Sequence, residues 1–328
     1  MARVFLLGAT GTIGRATLRA LLDRGHAVVC FVRHPETRPG NRRSEPDPNW
    51  PERAELRYGV VTCAQSLSQD GFRGERFDVV LSCMASCSGA PDDAWAIDYD
   101  AHRLVLEAAQ SAAIPHFILL SAICVQKPRL AFQHAKLAFE KLLMESGLTY
   151  SIVRPTAYFK SLSGQVERVR QGKSFMLFGD GKLTACKPIS DQDLGRYLAD
   201  CLTNPFMHDK ILPIGGPGMP VTPKQQGEKL FALTGQKPKY AHVPVWFLDV
   251  IVGILAAVGW LFPAARKKAE LARIGRYYAT ESMLVWDAEA GCYDAAATPS
   301  TGSETLSDYH AALIRGERVA ERGDHAVF

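Results

Sequence analysis

Residues 1–15 read MARVFLLGATGTIGR, and this stretch decides the fold. Residues 4–7 are an apolar run of strand formers, Gly8, Gly11 and Gly14 follow at once, and residues 16–22 resume a helical spacing with Leu18, Leu21 and Leu22 on one side. Strand, glycine turn and helix in that succession set a diphosphate on the positive end of a helix. Gly8 allows the tight turn, Gly11 lets the backbone approach a pyrophosphate, and Gly14 lets helix and strand pack closely. The spacing is GxxGxxG, one residue longer in its first gap than the common dinucleotide pattern. A purely structural turn is the competing reading. The flanking strand and helix have the right lengths for a nucleotide site, which favours the latter.

The second strand, Ala27–Val32, ends at Arg33, about where an acidic residue would hold the ribose hydroxyls of NAD. Arg33 and Arg15 suit a 2′-phosphate instead, because a guanidinium fork pairs with phosphate oxygens. NADPH is therefore the expected cofactor, although Arg33 could be a solvated strand-end charge and Glu36 stands nearby. Further strands are expected at 54–61, 77–82, 116–121 and 150–153, with helices at 95–112 and 130–146 between them. That alternation predicts an α/β protein: a Rossmann-like, doubly wound parallel sheet covered on both faces. Residues 35–53, rich in proline and arginine, read as a long polar loop, either mobile or a cover over the cofactor.

After Thr156 the rhythm changes. A helix is expected at 158–171, a hairpin at 174–185 pivoting on Gly179, Asp180 and Gly181, and a helix at 190–201 capped by Ser190. A strand at 211–214 and a helix from Thr222 follow. The expected division is an NADP-binding domain over 1–156, with a later contribution from about 186–217. A smaller α+β C-terminal substrate lobe would comprise 157–185 and 218–328. Residues 250–262 (VIVGILAAVGWLF) carry no charge but fall short of the about twenty residues that span a bilayer. They read as a buried helix or partner interface. The alternative is an element lining a flat substrate or dipping into one leaflet, followed by Arg266, Lys267 and Lys268. A short helix at 306–314 and a loose charged tail end the chain.

A net charge of +4 and no interleaving of basic with aromatic residues argue against nucleic acid. The 8 cysteines form neither a CxxC pair nor a Cys/His cluster of ligand spacing, so no metal is expected, and Cys83, Cys124 and Cys201 read as buried thiols. Arg3 leads into a strand and not a cleavage site, which points to a reducing cytoplasm.

For chemistry, Ser121 ends the fifth strand and Lys136 lies in the following helix, where a lysine can hold the nicotinamide ribose. Phe132 stands four residues before Lys136, so a Tyr-x-x-x-Lys proton donor is missing. Tyr158, just past the sixth strand, and Lys127, in the loop after the fifth, are the other candidates. His134 reads as a surface residue. Ala85, with Ser86, offers a small-residue passage for the cofactor.

The runs SAICVQKP (121–128), FQHAKL (132–137), FGDGKL (178–183), LPIGGPG (212–218), TPKQQG (222–227) and IGRYY (274–278) resemble the divinyl chlorophyllide a 8-vinyl-reductases, an atypical short-chain dehydrogenase/reductase family. The similarity extends from Arg3 to about Asp308. It implies reduction by NADPH of the 8-vinyl group of a divinyl chlorophyllide or protochlorophyllide to ethyl. In that likeness Gly8, Thr10, Gly11, Thr12, Ile13, Gly14 and Arg33 match the cofactor motif, and Ser121 and Lys136 match positions around nicotinamide. Val60 replaces an acidic residue common near the adenine. A planar macrocycle needs an apolar slot, for which Tyr158, Phe159, Phe178, Trp246 and residues 250–262 are candidates; its propionate needs a cation from Arg154, Lys160 or Lys182. Two other functions fit the same residues: an NADPH reductase of another conjugated alkene or quinone, and a non-catalytic NADP-sensing scaffold.

Overall fold

The computed structural model describes residues 1–34 and 50–318. Most of the expected cover loop, Glu36 included, and the final charged tail lie outside the described residues. The first half of the chain alternates β1 (Arg3–Leu7), α1 (Thr12–Asp23), β2 (Ala27–Val32), β3 (Ala54–Tyr58), β4 (Val79–Ser82), α2 (His102–Ser111), β5 (His116–Leu120), α3 (Ala131–Met144) and β6 (Thr149–Pro155). A further strand, β8 (Lys210–Ile214), joins them after β7 (Phe175–Phe178) and α4 (Asp191–Asp200), giving one parallel sheet in the order β3-β2-β1-β4-β5-β6-β8.

The apolar strands are buried on both faces. On one side Val4, Leu6, Val28 and Ile118 pack beneath α1 and α4. On the other, Phe5, Leu7, Val29, Val80 and Phe117 meet α2 and α3. Each such side chain contributes about 1.5–3 kcal/mol on burial. Order reverses between β1 and β4, which opens a crevice at the carboxyl ends of the strands.

The expected helix over 95–112 is longer and less regular. Helical residues begin at Pro91, and Trp95–Ala101 is wound as a π-helix before α2 continues. The wider turn is held by His102, whose Nδ1–H donates to the Ile97 carbonyl at 2.8 Å.

Beyond β6 three expectations need correction, and before it one. Residues 158–171 split into a 3₁₀ turn, Phe159–Leu162, and a short helix, Val166–Arg170, because the Ser163 hydroxyl bonds back to the Phe159 carbonyl at 2.7 Å and ends the first turn. Residues 174–185 make no hairpin. β7 instead pairs in parallel with β9 (Tyr240–Val243), and Gly179 and Gly181, both at positive φ, steer the chain away. Phe175 and Leu177 thereby reach Leu230 and Phe231 of α5 (Pro223–Thr234), whose Thr222–Gln225 capping box is complete.

The apolar stretch at 250–262 is not a buried helix: its large side chains Val250, Ile254, Val258, Trp260 and Phe262 are exposed. It belongs to α6 (Val245–Leu261), capped by Pro244, and Asp249 stays inside the helix because it pairs with Arg276 of α7 (Pro263–Thr280). Trp246, Phe247, Val250, Ile254, Val258 and Trp260 are all exposed on this antiparallel helix pair. Among the described residues no helix is long and apolar enough to cross a membrane. Cys83, finally, is half-buried, whereas Cys124 and Cys201 are buried.

The last described helix, α8 (Leu306–Arg315), closes the smaller core with Tyr309 and Leu313. Its His310 is buried, and Nε2 has no hydrogen-bond partner among the described residues. Burial lowers the His310 pKa to about 4. The unfolded chain therefore takes up a proton as pH falls below the ordinary value of 6.5, and the folded chain does not until pH 4, so stability is lost across that window. His310→Leu should shrink the fall in melting temperature between pH 7 and 5; the proton linkage removed is on the order of 2 kcal/mol. Parallel melts of both proteins check it.

Candidate active site

The glycine turn leaves β1 at the sheet edge. Gly8 has φ +73°, and a Cβ there would lie 2.6 Å from the Cys83 carbonyl carbon; a Cβ on Gly14 would collide with the Gly8 carbonyl oxygen. Packing within the protein thus demands both glycines. Gly11 differs, since its Cβ would meet only the Gly8 oxygen, at 3.4 Å. Among the described residues nothing needs that position bare, and the space it leaves faces the N-terminus of α1. Gly11 caps that helix without a side-chain bond, and the first turn holds no acidic residue. Such an end attracts phosphate through its N–H groups and dipole.

Lys160 brings a cation to the same place, donating from Nζ to Thr12 Oγ1 at 2.7 Å. It therefore stands at the phosphate turn and not at a distant carboxylate subsite. Thr10 and Thr12 are half-buried at the turn, while the Ile13 side chain points into the core and leaves its backbone N–H for a ligand. Arg33 is exposed just past β2, the neighbour of β1, and Ala85 is exposed past β4. A groove of about 620 Å³ continues from Thr12 between α1 and α4, with Arg15, Arg19, Lys160 and Arg196 in its lining. Its charge suits the phosphate end of a dinucleotide. The cofactor-binding candidates are together, and NADPH fits the residues present.

Deeper along the edge, Lys136 donates from Nζ to Asp98 Oδ1 at 2.9 Å, and the Ser86 hydroxyl donates to Asp98 Oδ2 at 2.6 Å. Burial opposes ionisation of Asp98, but the Lys136 ammonium and Ser86 hydroxyl outweigh it and hold the carboxyl below its usual range. The π-helical turn is what brings Asp98 to Lys136. One turn on, burial lowers His102 to about pKa 4, so the imidazole is neutral; Nδ1–H faces Ile97, and Nε2 accepts from the Ser82 hydroxyl at 2.8 Å.

Ser121 is buried and donates to Glu140, which Arg154 grips with Nη2 and, at 3.2 Å, with Nε. Both residues are turned inward onto one carboxylate. Lys127 is likewise committed: Nζ donates to Glu281 at 2.8 Å and lies 4.0 Å from the centre of the Trp286 ring.

A third group sits where β5 and β6 end. Tyr158 follows β6, Cys124 follows β5, and Tyr277 and Tyr278 approach from α7. Tyr277 donates to the carbonyls of Cys124 at 2.9 Å and of Lys127 at 3.1 Å. The Tyr278 hydroxyl lies 3.9 Å from Cys124 Sγ. Burial pushes both the Tyr158 and Tyr278 phenols up, with the nearby Cys124 thiol adding to each. Phe132 packs against the same α7 beside Ile274.

Among the apolar candidates, Phe159 is fully buried in the small core against Tyr309, Phe178 is half-buried at the end of β7, and Trp246 is exposed on α6. These do not converge on one wall. Sequence reasoning missed Asp98, Glu140 and Tyr278. Glu140 was readable, four residues after Lys136 on one helical face. Asp98 was not, because only a π-turn brings it round.

A parallel sheet with an open phosphate turn at its first strand defines a nicotinamide-dinucleotide-binding reductase fold, and an NAD(P)H-binding family model matches residues 8–205. The NADPH-dependent quinone oxidoreductase of Escherichia coli, solved with NADPH, has the same fold at TM-score 0.67 and 17% identity, covering 94% of this chain and 99% of that one. Closer in sequence is the chloroplastic divinyl chlorophyllide a 8-vinyl-reductase of Arabidopsis thaliana, 45% identical over 97% of this chain and 79% of its own length. The enzyme of that name from Oryza sativa subsp. indica is 46% identical over 99% of this chain and 82% of its own. The chain belongs to the divinyl chlorophyllide a 8-vinyl-reductase family.

Two outcomes test the site. Gly11→Ala should fold with an unchanged melting temperature yet bind NADPH at least about tenfold more weakly by fluorescence titration, since the methyl group occupies ligand space. Lys136→Met should cost about 3–5 kcal/mol in urea unfolding by stranding Asp98, and adding Asp98→Asn should restore much of it.

Proposed function

We propose that the protein reduces the 8-vinyl group of a 3,8-divinyl chlorophyllide, or of the corresponding protochlorophyllide, to ethyl with NADPH. The observation that carries this reading is 45–46% identity over nearly the whole chain to enzymes of that name, joined to a bare Gly11 phosphate turn at the reversal of strand order. An isolated vinyl group resists hydride addition because the resulting carbanion has nowhere to go. Conjugation to a tetrapyrrole spreads that charge over the ring, so the reaction reduces to aim and proton supply.

NADPH, when bound, supplies the hydride. The chain does the rest. Gly8, Gly11, Gly14 and the N–H groups of Thr12 and Ile13 seat the diphosphate, Lys160 adds charge there, and Arg33 takes the 2′-phosphate. Thr10 and Ala85 border the dinucleotide. Lys136, fixed by Asp98, lies at the nicotinamide end, and Ser121 with Glu140 and Arg154 stiffens the floor beside it. Residues 157–185 and 218–328 act as the substrate lobe, with Phe178 on its rim.

The α6–α7 hairpin supports a peripheral membrane location for this activity. Its exposed Trp246, Ile254, Trp260 and Phe262, with Arg266, Lys267 and Lys268 exposed beyond the tip, suit the surface of an anionic membrane. Apolar rings enter the acyl boundary while the cations meet headgroups.

Purified protein with NADPH and 3,8-divinyl chlorophyllide should yield a product two hydrogens heavier; unchanged pigment would overturn the reading. Arg33→Ala should weaken NADPH about tenfold or more and leave NADH nearly unaffected, and equal losses would show the 2′-phosphate lies elsewhere. In flotation assays the protein should rise with phosphatidylglycerol vesicles, and Trp260→Ser with Lys267→Glu should leave it at the bottom without altering NADPH binding.

A further inference from the structure

Reduction of a vinyl group needs a proton as well as a hydride, and apart from Tyr158 the catalytic candidates that the sequence offered are spoken for. Phe132 has no proton to give. Lys136 is held by Asp98, Lys127 by Glu281, and Ser121 donates inward to Glu140. His102 is neutral, and its one N–H faces the Ile97 carbonyl.

Tyr278 is placed differently. Its neighbour Tyr277 is buried and pinned by two carbonyls of the loop after β5, which fixes this turn of α7 against the sheet edge. One turn earlier, Ile274 packs on Phe132 and lies against Gly89, where a Cβ would come within 2.9 Å of it. With both flanks held, Tyr278 keeps 38% of its surface open while its hydroxyl reaches Cys124 Sγ at 3.9 Å. Cys124 lies four residues past the end of β5, in the 3₁₀ turn Ile123–Gln126, so this phenol stands at the carboxyl end of the strand that neighbours β4.

Resting on the vinyl-reductase reading, we propose that Tyr278 is the catalytic acid: a phenol supplied from α7 in place of the one that Phe132 lacks. The two-electron reduction takes its hydride from NADPH. The Tyr278 O–H bond breaks, its proton forms the second new C–H bond at the vinyl group, and the phenolate regains a proton from water. Burial of the hydroxyl beside Cys124 pushes this phenol further above its ordinary value, so it releases its proton only to a strong base such as the electron-rich reduced macrocycle. Tyr158 is the natural comparator. It also lies near Cys124, but it packs against the large core from the β6 side.

The test compares the full-length wild type with Tyr278→Phe and Tyr158→Phe. Wild type should convert 3,8-divinyl chlorophyllide; if it does not, the vinyl-reductase reading fails and this proposal with it. Given turnover, Tyr278→Phe should lower kcat about 100-fold or more while the pigment KM and the NADPH Kd stay within about threefold. Tyr158→Phe should retain most of kcat. Placing 3-fluorotyrosine at 278, a more acidic phenol, should bring the alkaline limb of the kcat profile down into a pH range where the wild type still keeps full kcat. The ionisable groups facing it are Cys124 from the β5 loop, Tyr158 from β6 and Tyr277 from its own helix.

A readout free of turnover is ¹³Cζ-tyrosine NMR of the cofactor-free protein, in which the resonance lost in Tyr278→Phe should shift on addition of the 8-ethyl pigment. Retention of kcat by Tyr278→Phe overturns the proposal. So does a loss confined to KM, an unmoved alkaline limb, or the larger kcat loss in Tyr158→Phe.

Discussion

Helix α1 is wedged between backbones that leave it no room to shift. On one side Gly14 lies against the Gly8 carbonyl; on the other, a Cβ at Gly195 of α4 would come within 2.6 Å of the Ala16 carbonyl carbon. Interiors packed this tightly do not deform gradually. The position of α1 is therefore set from both ends of the chain, and the phosphate turn at its N-terminus is set with it. The same α4 begins at Ser190, whose hydroxyl accepts from the Asp193 N–H at 3.0 Å. Buried Asp193 in turn accepts from the backbone of Ser303 and Glu304. Segments about 300 residues apart thus hold one helix end open to solvent, and a ligand's phosphates meet a preformed surface that needs no ordering.

The parallel sheet was legible because each strand is a short apolar run between helical repeats, and because glycine spacing reports a constraint of the backbone itself. Ser190 and Thr222 were legible as caps for the same reason: their bonds are local. What failed was non-local. The 174–185 segment carries turn residues that look like a hairpin, yet its partner strand lies more than sixty residues further on, at Tyr240–Val243. The uncharged run at 250–262 looks like core, and only its place on an outward helix pair makes it surface.

Within the site the division is similar. The lysine and serine were visible by position, but their functional state is fixed by partners that position does not disclose. Asp98 reaches Lys136 because a π-turn adds a residue to the helix, and Glu140 gathers Ser121 and Arg154 onto one carboxylate. Two buried ion pairs then lie side by side on α3. Pairs of this kind seldom add net stability over apolar packing, so their value is in fixing where the chain stands beside a ligand. The absence of tyrosine at Phe132 reads as chemistry withheld from α3. That a phenol could return from α7 could not be read, since 146 positions separate the two residues (278 − 132).

Helix α7 joins the two halves of the proposed activity. Its N-terminal turns carry Lys267 and Lys268 beside the exposed rings of α6, and its last turns carry Tyr277 and Tyr278 at the sheet edge. Eleven residues from Lys267 to Tyr278 span roughly 16 Å at the helical rise. A tetrapyrrole is a flat apolar molecule of comparable extent that bears a carboxylate, and on the proposed reading it partitions to lipid before it reaches protein. An anionic membrane surface at one end of α7 and a reducing crevice at the other would then be bridged by one rigid element. The Asp249–Arg276 pair ties α6 to α7 close to the tyrosines. The hairpin is thereby braced where chemistry requires position and left uncovered where a membrane would supply the missing packing.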